Sequence, residues 1–199
     1  DTNTKMNKLK EKRHRLGCYE RDNFDYTDSR YSLPAMRYYS HLRAVKIHNI
    51  IKSLFKSQRK IKILDVGCGT GLVLKHLISL NPEYRLTGLD FSKNMLKNSV
   101  LNNAQKREIM LVNGDAFNLP FTDASFDVVI CTRFIHQYSN ALKRELLVEM
   151  GRVLKPGGLG IVEFYSKGIR TLKYYFNPWR ALKFMTKGGI SKEEYLSHG

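Results

Sequence analysis

The stretch from Ile61 to Gly71 restricts the possible folds of this chain more than any other. Ile61, Ile63, Leu64 and Val66 form a short apolar run rich in β-branched residues, the pattern of a strand buried on both faces of a parallel sheet. The run ends in Asp65-Val66-Gly67-Cys68-Gly69-Thr70-Gly71 and passes into Leu72-Val73-Leu74-Lys75-His76-Leu77-Ile78, which reads as a helix. A strand, a glycine turn and a helix N-terminus in that order bring backbone close to a ligand, because a Cβ at the glycines would hold the ligand away. The spacing is Gly-x-Gly-x-Gly. A dinucleotide fingerprint would need a glycine where Leu72 stands, which weakens a nicotinamide reading. The absence of a Gly-Lys-Ser/Thr ending excludes a phosphate-cradling P-loop.

Further stretches follow in order. Asp90 closes a second strand-like run, Arg85 to Asp90, nineteen residues after Gly71. A carboxylate at such a strand end can accept both hydroxyls of a ribose. Gly114-Asp115-Ala116 follows a third run, Ile109 to Val112, and Phe126 to Cys131 reads as a fourth. Arg152-Val153-Leu154-Lys155-Pro156-Gly157-Gly158 reads as a helix end and turn feeding a fifth strand, Leu159 to Phe164.

On these residues the chain resembles the class I S-adenosylmethionine-dependent methyltransferases. Ile63 to Gly71, Leu86 to Met95, Val112 to Phe121, Ser125 to Tyr138 and Arg152 to Glu163 match that family's pattern in order and spacing, over about residues 61–164. The branch with Asp-Ala-x-x-Leu-Pro-Phe and Arg-Val-Leu-Lys-Pro-Gly-Gly is the most similar, and it includes quinone, sterol, small-metabolite and some transfer-RNA methyltransferases. The resemblance implies an α/β fold, a Rossmann-like three-layer α/β/α sandwich. Its mostly parallel sheet has strand order 3-2-1-4-5 and right-handed crossovers, with strands beginning near Ile61, Arg85, Ile109, Phe126 and Leu159. The family's sixth and seventh strands are expected to be missing from this chain, as in a truncated version. The cofactor implied is S-adenosyl-L-methionine, lying across the carboxyl ends of the strands, and no metal. Asp65, Gly67 and Gly69 would line its methionine part, Asp90 the ribose, and Asp115 with Ala116 the adenine. Cys68, Gly71, Phe91, Met95 and Thr132 complete the expected cofactor set. Asp65 has a plainer reading as a strand-end carboxylate capping the glycine turn, and Phe91 and Met95 have one as packing.

The formal charge of +16 on 199 residues is unevenly spread: net +9 over residues 1–60, +2 over 61–164 and +5 over 165–199. Three segments follow: a basic arm and helix (1–60), a nearly neutral cofactor-binding core (61–164) and a basic aromatic helical segment (165–199). Asp1 to Arg15 lacks apolar periodicity and reads as frayed. Pro34 starts a helix, Ala35 to Phe55, whose apolar stripe (Leu42, Val45, Ile47, Ile50, Ile51, Leu54, Phe55) reads as core packing and whose Arg37, Arg43, Lys46 and Lys52 give a polar face. Leu72 to Leu80 is the first core helix, Ser92 caps a helix Lys93 to Asn103, and Ala141 to Leu154 is another, ended by Gly157 and Gly158. In Ser166 to Met185 basic residues interleave with aromatics around Pro178, which suggests two short helices. Residues 16–40 and 166–190 are expected to close over the cofactor as a lid. Three scattered cysteines, an odd number, argue against a disulfide framework and for a reducing, cytoplasmic compartment. No apolar run reaches the ~20 residues of a membrane span, and no apolar stretch follows the N-terminal charges as in a signal peptide.

Methyl transfer from a sulfonium is a direct displacement, so orientation carries most of the work and catalytic residues are quiet in sequence. His136 follows the fourth strand and titrates near neutrality, which suits a general base, though a lone His is often structural. Arg133 suits an anionic group. Tyr31 joins these as a catalytic candidate, with Tyr26, Tyr138 and Glu163 behind it. The function expected is methylation of an oxygen, nitrogen or carbon on a small-molecule acceptor, anionic or aromatic. The alternatives are a transfer-RNA methyltransferase, whose RNA the basic flanks would neutralise, and a non-catalytic cofactor-binding partner subunit. The aromatic-basic C-terminal segment also allows peripheral membrane contact. Nothing in the sequence sets an oligomeric state.

Overall fold

The computed structural model describes residues 6, 10–11, 14, 17, 34–55, 60–101, 108–164 and 172–176. In chain order these form α1 (Pro34–Leu54), β1 (Lys62–Val66), α2 (Leu72–Leu80), β2 (Arg85–Asp90), α3 (Lys93–Lys97), β3 (Ile109–Asn113), β4 (Phe126–Cys131), a short 3₁₀ turn (Ile135–Gln137), α4 (Asn140–Val153), β5 (Leu154–Phe164) and β6 (Leu172–Phe176). The sheet runs β3-β2-β1-β4-β5-β6. The first five strands pair in parallel, giving the expected order 3-2-1-4-5.

The strands are buried because helices cover both faces, and alternate residues feed two separate cores. Ile63, Leu86, Val128, Ile130 and Ile161 point to one side, where Ala44, Ile47 and Ile51 of α1 and Leu74 and Leu77 of α2 meet them. Leu64, Val66, Leu89, Val129, Cys131 and Val162 point to the other, against Leu146, Met150 and Val153 of α4. The apolar stripe of α1 is therefore core packing, although Leu54 is exposed.

Four boundaries differ from expectation. The helix after Asp90 stops at Lys97 and does not run to Asn103. There the chain is drawn back to the glycine turn, as Ser99 Oγ and the Val100 N–H both donate to the Thr70 carbonyl. The helix α4 ends at Val153 with an extended Leu154, so Gly157 and Gly158 do not cap it. Instead β5 starts at Leu154, opposite Phe126, and its register slips before Leu159 faces Val128. The two glycines lie in that irregularity, Gly157 at φ +78°. A sixth strand exists, contrary to the expected absence of further strands. Leu172–Phe176 pairs antiparallel with β5, Glu163 facing Lys173, where short helices were expected. The aromatic run Tyr174-Tyr175-Phe176 suits a strand. Of the rest of the expected lid, residues 34–40 form the first turns of α1, and Tyr26, Tyr31 and Trp179 lie outside the described residues. Met6, Lys10, Glu11 and His14 have helical backbone within the stretch read as frayed.

The loop between β3 and β4 carries residues toward the ligand end of the sheet, and Arg152 fastens it. Its guanidinium donates to the carbonyls of Leu119 (2.9 Å) and Phe121 (2.8 Å) and to the carboxylates of Glu149 and Asp123. Glu149 in turn accepts the Leu119 N–H at 2.9 Å. Arg152→Met should destabilise the protein by about 2–3 kcal/mol, since two loop carbonyls and a partly buried carboxylate lose a charged donor. Urea unfolding checks this, and a loss below half a kcal/mol would show that the loop holds without it.

Candidate cofactor and acceptor cavity

A cavity of about 320 Å³ opens at the carboxyl ends of β1, β2, β3 and β4, within the range of small-molecule sites. Its floor is the turn between β1 and α2. The Gly67 and Cys68 N–H groups both donate to the Leu89 carbonyl, at 2.8 and 3.0 Å, and the Gly69 N–H donates to Asp90 Oδ2 at 2.8 Å. Gly67 sits at φ +75°, and a Cβ there would lie 2.5 Å from the Phe134 ring, so no other residue fits without moving that wall.

Asp65, Gly67, Cys68, Gly69, Asp90, Phe91, Met95, Asp115, Ala116 and Thr132 line the cavity, as do Arg133 and His136. Gly71 does not. It caps α2 with a left-handed backbone, and its N–H closes the turn onto the Cys68 carbonyl. Tyr31 lies outside the described residues. Asp90 does more than face a ligand: Oδ2 holds Gly69, and Oδ1 accepts the Ser92 N–H at 2.9 Å. Each carboxylate oxygen has a second lone pair for a ligand hydroxyl. Met95 is buried beneath Gly69, whereas Phe91 is half exposed at the rim. The Asp115 carboxylate accepts the Phe117 N–H, which shapes the turn after β3. His136 stands exposed on the 3₁₀ turn, and Arg133 before it has a left-handed backbone at φ +56°.

Several lining residues escaped the sequence reading. Ser40 and Arg43 of α1 reach the cavity. Arg43 precedes Ile47 and Ile51 by one and two helical turns, so a charge stood in the apolar stripe and was taken for part of the polar face. Phe117 and Phe134 also line the cavity, and Tyr138, a weaker catalytic candidate in the sequence, stands edge-on to both at 5.1 and 5.2 Å.

The sequence matches the methyltransferase-domain family over residues 63–158. A demethylmenaquinone methyltransferase of Staphylococcus epidermidis is 43% identical over 115 residues, which is 55% of this chain and 45% of that protein. The namesake of Staphylococcus aureus is 44% identical over 102 residues, covering 49% of this chain and 40% of its own length. The chain thus spans less than half the length of these curated relatives. Among solved structures, S-adenosylmethionine-bound CalS10 of Micromonospora echinaspora, an amino pentose methyltransferase, superposes with TM-score 0.55 at 24% identity over 67% of this chain and 54% of its own. Streptomyces venezuelae DesVI gives TM-score 0.56 at 23% identity over 72% and 58%. Over residues 63–158 the chain is thus similar to methyltransferase domains, and it shares the fold of these solved structures.

The cavity holds one electrostatic anomaly. Asp65 is 1% exposed, and its Oδ1 is buried without a hydrogen-bond partner. Burial, and then the neighbouring Asp90, push its carboxyl up to about 7, with Arg43 pulling the other way. An orphaned buried carboxylate oxygen fits a cationic group, such as the amino end of S-adenosylmethionine. Burial also pushes the Cys68 thiol well up, so it is no thiolate nucleophile near neutral pH.

The raised carboxyl has a consequence for stability. An acid that ionises later in the folded than in the unfolded chain costs stability as pH rises from its unfolded value through its folded one. Between its ordinary value of 3.8 and about 7, Asp65 should therefore weaken the ligand-free protein progressively. Asp65→Asn should remove this loss, on the order of 4 kcal/mol at neutral pH. Thermal midpoints of both proteins across that window test it. Parallel pH profiles would show that Asp65 ionises normally.

Proposed function

We propose that this chain transfers the methyl group of S-adenosylmethionine to a planar small-molecule acceptor. The observation that carries the reading is Asp65, a buried carboxylate with an unpartnered oxygen beside a glycine turn that Asp90 pins from below. Asp65 and the turn would hold the amino-acid end of the cofactor, Asp90 the ribose, and Asp115 with Ala116 the adenine. When bound, S-adenosylmethionine supplies an electrophilic methyl group on a sulfonium.

The residues of this chain do the rest by placement. Phe117, Phe134 and Tyr138 form an aromatic wall suited to a flat ring, in line with the quinone named for the curated relatives. Arg133 offers a cation to an acidic acceptor oxygen, and His136 is placed to take the proton the acceptor releases. Holding acceptor and methyl group in line supplies roughly 7–11 kcal/mol of the barrier reduction. Residues 1–60 also contribute to the cavity: α1 brings Ser40 and Arg43 to it, and Glu11 accepts the Ser139 N–H at 2.7 Å beside the aromatic wall. None of the relatives named above is an RNA methyltransferase by name, so the basic flanks alone speak for RNA. No helix among the described residues is long and apolar enough to cross a membrane.

Calorimetry with S-adenosylhomocysteine, followed by transfer of labelled methyl to a set of hydroxylated naphthoquinols, tests the proposal. Asp90→Ala should weaken cofactor binding by about 1–3 kcal/mol, since both the ribose acceptor and the brace of the glycine turn are removed. Unchanged affinity would move the ribose elsewhere. Tight cofactor binding with no transfer to any small acceptor would favour the non-catalytic alternative.

A further inference from the structure

Arg43 and Glu163 lie 120 residues apart, one on α1 and the other near the end of β5. Arg43 Nε donates to Glu163 Oε2 at 2.7 Å and Nη2 to Oε1 at 3.0 Å, a two-pronged grip with both side chains largely shielded, 14% and 11% exposed. A shielded ion pair adds little net stability, because desolvation offsets most of its attraction. What such a fork does well is fix a planar guanidinium in one place.

The place matters. Arg43 and Asp65 line the same cavity, and Arg43 is near enough to act on Asp65 electrostatically. Yet Asp65 Oδ1 has no hydrogen-bond partner. A long, flexible cation beside a buried, unsatisfied carboxylate would ordinarily close on it. In this structure Arg43 is turned to Glu163 instead. We propose that Glu163 is a positioning residue: by gripping Arg43 it keeps the guanidinium off Asp65, so the cavity offers a separate anion and a separate cation to the two charges of an amino-acid head group. This inference rests on the cofactor reading above and assigns Glu163 a role distinct from touching the acceptor.

The groups facing Asp65 are Asp90 on β2, Arg43 on α1 and the neutral thiols of Cys68 and Cys131, with Glu163 beyond Arg43. Two explanations for Glu163 then predict opposite effects. If it acts only through its charge, Glu163→Gln lowers the pH at which Asp65 titrates, makes the carboxylate more available and leaves binding equal or tighter. If it positions Arg43, the released guanidinium closes on Asp65 and both charges are lost to the ligand.

The test is calorimetry with two probes, S-adenosylhomocysteine and 5′-methylthioadenosine, which lacks the amino-acid head. It is run above the pH at which Asp65 titrates. Glu163→Gln should weaken S-adenosylhomocysteine at least about tenfold, as expected for loss of charged hydrogen bonds, and leave 5′-methylthioadenosine unchanged. Arg43→Gln combined with Glu163→Gln should be no worse than Arg43→Gln alone. Arg43→Lys, which keeps the charge but cannot form the fork, should repeat the head-group-specific loss and provides a second test if Glu163→Gln does not fold. Equal losses for both probes, additive losses in the double variant, or unchanged binding of S-adenosylhomocysteine would each overturn the inference. Failure of the unaltered chain to bind either probe would instead sink the cofactor reading, and this inference with it.

Discussion

The structure depends on how the turn after β1 is tied to the end of β2. Gly67 and Cys68 share the carbonyl of Leu89, and Gly69 is held by the carboxylate of Asp90. These bonds use backbone donors that an isolated glycine turn would leave to solvent. They place the N-terminus of α2 over the sheet and turn Asp65 inward. The same carboxylate then holds Ser92, whose hydroxyl caps α3 by accepting the Met95 N–H. One side chain thus joins the first two βα units, and the cavity lies where they meet, at the point where strand order reverses between β1 and β4.

Asp65 gives this arrangement its polarity. Burying a carboxylate without a partner is unfavourable, and a sheet with helices on both faces excludes the water that would relieve it. The oxygen stays unsatisfied because its neighbours are already engaged: Asp90 with the turn, Arg43 with Glu163. A site of this kind carries its electrostatic strain before any ligand arrives. The strain is tolerable because the cores on either face, one built on α1 and α2 and the other on α4, are continuous and apolar.

Much of this was legible in the sequence, for identifiable reasons. Strands buried on both faces appear as short runs with apolar residues at both odd and even positions, so β1, β2 and β4 were found within a residue of their ends. The helix α2 was found because Gly71 and Asn81 bracket it. What failed was whatever distant pairing decides. Lys155-Pro156-Gly157-Gly158 reads locally as a turn, yet Leu154 finds Phe126 on β4 and the strand begins there with an irregularity. Lys93 to Asn103 has helical composition, but contacts at the Thr70 carbonyl end the helix early. The edge strand β6 was hidden because a basic aromatic segment with a nearby proline has no strong period of its own. Arg43 was missed because a charge within an apolar stripe was credited to the solvent face, although its partner is Glu163, near the end of β5.

The two halves of the cavity are built differently, and that difference bears on how such a site could change its acceptor. The half around the glycine turn is built largely from backbone, with Gly67 and Cys68 tied to the Leu89 carbonyl and Gly69 to the Asp90 side chain. The opposite wall is a loop of side chains, Thr132 to Tyr138, in which Arg133 takes up a left-handed backbone costing about 1–2 kcal/mol for a residue other than glycine. That turn throws Phe134 back onto Gly67, close enough that even one added carbon on the glycine would collide with the ring. Phe134 therefore belongs to both halves, supporting the cofactor turn on one side and meeting Tyr138 on the other. A change at Phe134 bears both on the turn beneath it and on Tyr138, which makes this ring the mechanical link between the two walls of the cavity.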